Sequence, residues 1–319
     1  MDLVFLGTPR FAVPSLERLI AAGHEIKLVI TQPDRPKGRK QELFASPVKE
    51  AALRHGIEVY QPERIRRPEA LDRLRQIAAE AMVVVGYGQI IPQAIIDMAP
   101  LGIVNVHGSL LPELRGAAPI QWSIARGYAQ TGVTTMRINA GLDTGDMLLK
   151  YETAIQPDET APELAERLAE AGADLLIRTL EKLQAGNISP VPQNDAEATY
   201  APILKKEDGA INWTCPAQSI HNLIRGLQPW PGAYTSFRGQ SLHLWRSRMT
   251  GRQFNAEPGT ILAGAIFPGT SYPDPGVFAV GGDGAALELL EVQLEGRKRM
   301  PAVVFANGHR LTNNDRLGS

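Results

Sequence analysis

The feature that most constrains the fold is an alternation, along the first half of the chain, of short apolar runs with longer amphipathic patterns. The apolar runs predict β-strands because they are short and almost uninterrupted by polar residues. They cover residues 3–7, 26–31, 82–86 and 103–107. The segments between them, such as PSLERLIAAG and PEALDRLRQIAAE, repeat apolar residues at helical spacing. Because strands that are apolar throughout are buried on both faces, this order predicts an α/β fold, a mostly parallel sheet with helices on both faces.

A change of pattern predicts a second domain. The longest helical pattern covers residues 160–186 and closes a first domain that we expect to comprise residues 1–186. Residues 187–206 show no clear period and are expected to form a linker. Beyond them, short runs broken by glycine and proline, such as AYTSF and ALELLEVQL, predict strands. We therefore expect residues 207–319 to form a small β-barrel.

Composition and charge exclude several classes of protein. The chain carries 33 basic and 34 acidic side chains, and its net charge of −1 provides no overall positive field to attract DNA. The single cysteine, Cys215, excludes a disulfide within the chain and a cysteine-rich zinc site, and the histidines lack metal-ligand spacing. No apolar run reaches the roughly 18 residues of a membrane helix, and the first residues lack the features of a signal peptide. We expect a cytoplasmic, monomeric protein that binds no metal, DNA or membrane.

Two polar residues interrupt the fourth apolar run at its carboxyl end. Asn105 and His107 are two positions apart, so a strand would direct both side chains to the same face. Ligands bind beyond the carboxyl ends of the strands in open α/β sheets. Either residue alone would more often be a hydrogen-bonded core position. The pair, followed at once by Gly-Ser, favours a functional site.

An acidic loop supplies the third candidate. The segment TTMRINAGLDTGDML predicts a strand over residues 134–139, followed by a loop that carries Asp143 and Asp146. A carboxylate from this loop can orient His107 and stabilise its protonated form. An amide N–H and an imidazolium directed at one point stabilise an oxyanion, which predicts acyl or formyl transfer or another carbonyl-polarising reaction. Rival signatures, such as a dinucleotide fingerprint, a P-loop or a G-x-S-x-G turn, are absent from the sequence.

The same residues resemble a known family. NVHGSLLPELRG, followed about thirty residues later by DTGD, is similar to the core of the folate-dependent formyltransferases. Similarity to that family extends over nearly the whole chain, through FLGTPRFAVPSL, TQPDRPKGRK, VVVGYG, IRGLQPWPGAY and GDGAALELLEVQLEGRKRM. The resemblance implies that 10-formyltetrahydrofolate is the formyl donor and that the acceptor is the α-amino group of methionine esterified to initiator tRNA. It implies that Asn105, His107 and Asp143 are the catalytic residues. It also implies that the first domain is Rossmann-like and that the second, residues 207–319, is an OB-like barrel.

The resemblance also implies two sets of binding residues. Folate would be bound by two segments, which consist of Ser109, Leu110, Leu111 and Pro112 and of Gly86, Tyr87, Gly88 and Pro92. A basic loop would meet the tRNA acceptor stem through Arg35, Lys37, Arg39 and Lys40. On their own terms these four cations, set between turn-forming residues, suit contact with phosphates.

The barrel provides a further basic face for tRNA, since OB-like barrels often bind nucleic acid. Its candidate residues are Arg246, Arg248, Arg252, Arg297, Lys298 and Arg299. We expect Trp213, Trp230 and Trp245 to pack inside the barrel and not to stack on bases.

Different activities could use the same core. A formyltransferase could act on another amine, such as an amino-sugar nucleotide or glycinamide ribonucleotide. The first would not need the basic loop, and the second would not need residues 207–319. A hydrolase could use the core to discharge the formyl group to water, and an RNA-binding protein could retain it without activity.

Overall fold

The computed structural model describes residues 1–37, 42–264, 276–313 and 315–318, and the chain divides into two compact units. The first unit comprises Met1–Pro119, Gln130–Thr153 and Ala165–Pro202. The second unit comprises Ile120–Ala129, Ala154–Leu164 and Ile203–Ser319. Each unit has its own main β-sheet.

The first unit is built on a seven-stranded sheet. The strands of this part of the chain are β1 (Asp2–Gly7), β2 (Glu25–Ile30), β3 (Arg35–Lys37), β4 (Glu42–Phe44), β5 (Val59–Tyr60), β6 (Ala81–Val85), β7 (Ile103–His107), β8 (Arg115–Gly116), β9 (Gln130–Arg137), β10 (Met147–Ala154) and β11 (Tyr200–Ala201). Seven of them form the main sheet, while β3 pairs with β4 and β8 with β11. The sheet has the order β10-β9-β7-β6-β1-β2-β5, in which β5, β2, β1, β6 and β7 are parallel and β9 is antiparallel to β7. The predicted Rossmann-like, mostly parallel sheet is confirmed.

Helices bury this sheet. They are α1 (Val13–Ala21), α2 (Pro47–Arg54), α3 (Pro68–Arg75), α4 (Gln93–Ile96) and α6 (Ala161–Gln184), whereas α5 (Pro119–Ala125) belongs almost entirely to the second unit. On one face, Leu6 of β1 belongs to a core cluster with Leu74 of α3 and Ile95 of α4. Phe5 points to the opposite face because side chains alternate along a strand, and it is also fully buried. Burial on both faces explains why the strands appear in the sequence as uninterrupted apolar runs.

Residues 187–202, here called the return segment, follow α6 and belong to the first unit. The main chain of Val191 forms a two-way bridge with Met147 at the start of β10, and β11 pairs in parallel with β8. The main-chain oxygen of Thr199 accepts a hydrogen bond of 2.9 Å from the N–H of Arg115. The return segment is held in place by backbone hydrogen bonds and has no continuous apolar face. Hydrophobic periodicity in the sequence therefore does not predict its position.

The second unit contains an antiparallel sheet with helices α7 (Ala217–Gly226) and α8 (Ala302–His309). Its strands are β12 (Ala233–Phe237), β13 (Gln240–Gln253), β14 (Ile261–Ala263), β15 (Val277–Val280), β16 (Ala285–Leu294) and β17 (Met300–Pro301). Their order is β12-β13-β16-β15-β14, and β17 pairs with β16. An antiparallel domain is therefore confirmed, while its closure into an OB-like barrel stays a prediction.

The three tryptophans of this unit have different environments. Trp213 lies in the hydrophobic core, and Trp245 is partly buried with the guanidinium of Arg299 over its ring at 5.2 Å. Trp230 is 56% exposed, so the expectation that it packs inside the domain is wrong. It lies between two prolines in the connection from α7 to β12, and connections of this kind run over the surface.

Candidate active site

The geometry of β7 places Asn105 and His107 together at the carboxyl end of the sheet. The strand is buried along its whole length between β6 and β9, and both side chains are less than a tenth exposed. Their spacing of two residues directs both to one side of the sheet. The order of strands reverses between β1 and β6, next to β7, which is the position where open α/β sheets bind ligands.

His107 is held by a carbonyl and faces a carboxylate. Its Nε2 lies 3.0 Å from the main-chain oxygen of Leu114, and because a carbonyl only accepts, Nε2 is the donor. Its Nδ1 lies 3.8 Å from Oδ2 of Asp143. That separation is too long for a hydrogen bond, so Nδ1 remains available to a ligand, as an acceptor in the neutral ring and as a donor in the protonated ring.

Asp143 occupies a strained position on the loop between β9 and β10. Its φ of 52° lies in the left-handed region, as does that of Leu114 at 57°. Such conformations cost about 1–3 kcal/mol for residues other than glycine and persist where the surroundings impose them. The carboxylate accepts a 2.8 Å hydrogen bond from the N–H of Gly116. A main-chain N–H therefore holds the carboxylate of the predicted partner of His107.

The carboxamide of Asn105 makes no hydrogen bond within the part of the chain that the structure describes. The residue is only 7% exposed, and buried amides without partners are uncommon because they lose hydrogen bonds to water. An amide of this kind, beside an imidazole nitrogen that can still donate, fits a ligand with a carbonyl or formyl oxygen.

The first predicted folate-binding segment, Ser109 to Pro112, lies directly after β7. Ser109 and Leu111 are fully buried, Pro112 is buried, and Leu110 is partly exposed. Thr134 of β9 fixes the segment, because its hydroxyl accepts from the N–H of Leu111 at 3.1 Å and donates to the oxygen of Ser109 at 2.8 Å. Thr134 was not among the predicted site residues, because its position opposite His107 depends on the pairing of β9 with β7, which no local sequence pattern marks.

The second predicted folate-binding segment, Gly86 to Pro92, follows β6. Gly86 and Gly88 have φ angles of 58° and 83°, which suit glycine. The Tyr87 ring lies in the hydrophobic core, and burial raises the pKa of its hydroxyl. The main-chain oxygen of Tyr87 accepts from the side chains of Thr8 and Gln32, which follow β1 and β2. Tyr87 therefore presents its backbone and not its ring at this end of the sheet.

The predicted tRNA contacts are only partly described. Arg35 is exposed at the start of β3, and its guanidinium lies 3.9 Å from Glu63. Lys37 ends β3, while Arg39 and Lys40 lie outside the described residues. The two halves of the predicted basic surface are thus in different units.

In the second unit, three of the predicted cations are paired with carboxylates. Arg246 pairs with Glu163 at 2.8 Å, Arg248 with Glu288 at 2.5 Å, and Arg299 with Glu291. Arg246 and Arg299 line a shared groove of about 570 Å³.

The other predicted cations of this unit have different environments. Arg297 and Lys298 are exposed and have no ion pair within the described residues. Arg252 lies over the ring of Phe278.

Two structural features are absent from the residues that the structure describes. These residues contain no helix long and apolar enough to cross a membrane. They also contain no group of three or more histidine, cysteine, aspartate or glutamate side chains suited to a metal ion.

Family models match most of the chain. One that is described as Formyl transferase matches residues 1–180, and one described as Formyl transferase, C-terminal domain, matches residues 203–310. The chain belongs to the formyl transferase family. The resemblance inferred from the motifs around Asn105 and Asp143 is thereby confirmed.

Curated relatives are similar along their full length. The methionyl-tRNA formyltransferase of Solibacter usitatus is 62% identical over 318 residues, which cover 100% of this chain and 99% of the relative. That of Koribacter versatilis is 55% identical over 320 residues with the same coverage.

Solved structures share the fold at much lower identity. WlaRD, a sugar 3N-formyl transferase crystallised in the presence of dTDP and 5-N-formyl-THF, is 18% identical with a TM-score of 0.67 and covers 93% of this chain and 99% of its own. The methionyl-tRNA formyltransferase from Clostridium thermocellum is 19% identical with a TM-score of 0.57, over 79% of this chain and 95% of its own. These likenesses show the fold alone.

Proposed function

We propose that this chain transfers the formyl group of 10-formyltetrahydrofolate to the α-amino group of methionyl-initiator tRNA, giving N-formylmethionyl-tRNA for translation initiation. The observation that carries the proposal is the arrangement of Asn105, with its unpartnered amide, beside His107 and Asp143 at the carboxyl end of β7. The methionyl-tRNA formyltransferases that are 50–62% identical along the chain support the choice of acceptor.

The chemistry begins with the formyl oxygen. When bound, 10-formyltetrahydrofolate supplies the electrophilic formyl carbon that the amine attacks. The Asn105 amide donates a hydrogen bond toward the oxygen on which negative charge develops. His107 donates from Nδ1, which is not committed to a hydrogen bond, and Asp143 at 3.8 Å balances the charge of the protonated ring. Donors that are already in place act without reorganisation, and each is worth about 100- to 1,000-fold in kcat.

A proton must also move. The attacking amine loses a proton as the new bond forms, and the leaving nitrogen gains one. An α-amino group has an ordinary pKa of about 8, so a useful fraction is neutral in the cell and only a mild base is needed. The protonated ring of His107 has no lone pair to accept this proton, so the Asp143 carboxylate, 3.8 Å from Nδ1, accepts it through water and passes it on.

Binding is divided between the predicted surfaces. Leu110 and the main chain at Gly86 to Gly88 contact folate, while Ser109, Leu111, Pro112, Tyr87 and Pro92 shape the pocket from behind. The basic loop at residues 35–40 and the cations of the second unit contact the tRNA backbone.

The organisation of the chain follows the same division. The catalytic domain comprises residues 1–186 and the OB-like tRNA-binding barrel comprises residues 207–319. Residues 187–206 connect them, and the return segment within this connection packs on the first unit. The protein acts as a monomer in the cytoplasm.

Replacing one carboxylate tests the site. Asp143→Asn removes the charge that faces His107, and we expect kcat for methionyl-tRNA formylation to fall by about 100-fold or more. Glu113→Gln is the matched control, because this exposed carboxylate lies on the loop after β7, and it should retain full activity. Equal activities of the two variants would contradict the proposed role of Asp143.

A further inference from the structure

One side chain of the return segment holds the loop that carries Asp143. The amide nitrogen of Gln193 donates to the main-chain oxygens of Asp143 at 2.8 Å and of Gly145 at 2.7 Å. Its amide oxygen accepts from Nε of Arg115 at 2.9 Å. Both the donor and the acceptor end of the Gln193 amide are therefore used in contacts to loops of the site.

Together these contacts hold Asp143 through both its main chain and its side chain. Gln193 binds the main chain of Asp143 and the side chain of Arg115, and Gly116, the next residue, donates its N–H to the Asp143 carboxylate. The main-chain oxygen and the carboxylate of Asp143 are thus tied to the same support. Fixing both points of one residue fixes the direction in which its side chain extends.

The support itself is rigid. The Arg115 side chain is only 2% exposed, and its Nη2 donates to Asp195 at 2.8 Å. The loop is also tightly packed against β9, because a Cβ on Gly145 would lie 1.8 Å from the main-chain oxygen of Arg137. The left-handed φ of Asp143 needs such support, since the conformation is unfavourable for aspartate in isolation.

We infer that Gln193 is a positioning residue, which sets the distance and direction of the Asp143 carboxylate relative to His107. The inference rests on the catalytic role proposed for Asp143. It assigns a function in catalysis to a segment that has no recognisable pattern of its own.

Gln193→Glu tests the two hydrogen bonds that Gln193 donates to the loop carrying Asp143. The variant keeps the size of the side chain and an acceptor for Arg115, but it loses both N–H donors to the loop. We expect kcat to fall by about 10- to 100-fold, since displacements near 1 Å in a catalytic group have effects of this size. The KM values for methionyl-tRNA and formyltetrahydrofolate should stay within about twofold. Asn194→Asp makes the same chemical change at the next, exposed residue and should leave both constants unchanged.

A double-mutant cycle separates positioning from general structural damage. If Gln193 acts through Asp143, then adding Gln193→Glu to Asp143→Asn should lower kcat by less than about twofold further. Activities are normalised to the folded fraction measured by circular dichroism, and Gln193→Met replaces Gln193→Glu if the latter does not fold. The inference would be overturned if the fold-losses in kcat of the two single variants multiplied in the double variant. It would also be overturned if the single Gln193 variant had the wild-type kcat. Wild-type kcat in Asp143→Asn would instead overturn the proposed function of the site.

Discussion

Replacing Asn105 by leucine should separate activity from stability. The substitution keeps a side chain of similar volume and removes the amide, which has no hydrogen-bond partner within the described residues. Because the substitution removes no hydrogen bond between described residues, it does not incur the usual loss of folding free energy that accompanies a broken hydrogen bond. A fully enclosed polar group without a partner costs about 1–3 kcal/mol, and Asn105 retains 7% exposure, so the variant should be as stable as the native protein or more stable by about 1 kcal/mol. At about 2–4 °C per kcal/mol, the expected rise in Tm reaches a few degrees.

The effect on activity should have the opposite sign. Loss of one oxyanion donor costs about 2.7–4 kcal/mol of transition-state stabilisation, which corresponds to about 100- to 1,000-fold in kcat. The assay is formylation of methionyl-tRNA at saturating concentrations of both substrates, together with thermal unfolding of the same preparations. A variant that is fully active would refute the oxyanion role. A variant that is destabilised by several kcal/mol would show that the Asn105 amide has a structural role.

Three further predictions concern stability and tRNA binding. Thr134→Val should lower the free energy of unfolding in urea by about 2–4 kcal/mol, because two main-chain groups lose their partner, and an unchanged midpoint would contradict this. Hydrogen bonds from Thr160 lower the pKa of Glu163, so its contribution is complete above the ordinary value of 4.5 and disappears as the pH falls through the lower folded value. Because the Glu163 side chain is about half exposed, solvent screens this contribution, and Glu163→Ala should cost no more than about 0.5 kcal/mol at pH 7. The difference should shrink in acid, and a constant difference would refute the reasoning. Arg297→Gln should raise KM for tRNA and reduce the slope of log KM against log salt concentration by about one. Arg248→Gln should have a smaller effect on both quantities, because the charge of Arg248 is paired with Glu288. A larger effect of Arg248→Gln than of Arg297→Gln would contradict the prediction.

The sequence is most informative where burial imposes a pattern. The four apolar runs coincide within one residue with β1, β2, β6 and β7, because strands buried on both faces admit few polar residues. The long helix predicted over 160–186 is observed as α6, Ala161–Gln184. Asn105 and His107 were recognisable because they are polar exceptions within such a run.

Features held by hydrogen bonds to the main chain could not be predicted in the same way. Gln193 and Thr134 bind loops through contacts between residues 23 to 50 positions apart, and no local pattern marks such contacts. The orientation of Tyr87 could not be predicted either. A turn motif identifies the position of a residue in the fold but not whether its ring points to a ligand or to the core. The motif specified the neighbourhood of the site, and the tertiary contacts specify which groups face it.

The central claim is most directly tested by single-turnover formylation with competing acceptors. The protein is mixed with 10-formyltetrahydrofolate and with methionyl-initiator tRNA, free methionine or a UDP-amino sugar in parallel reactions. We predict that only the tRNA reaction gives a formylated product. Formylation of the sugar, or release of formate without an acceptor, would contradict the assigned acceptor and with it the roles of the basic loop and the second unit.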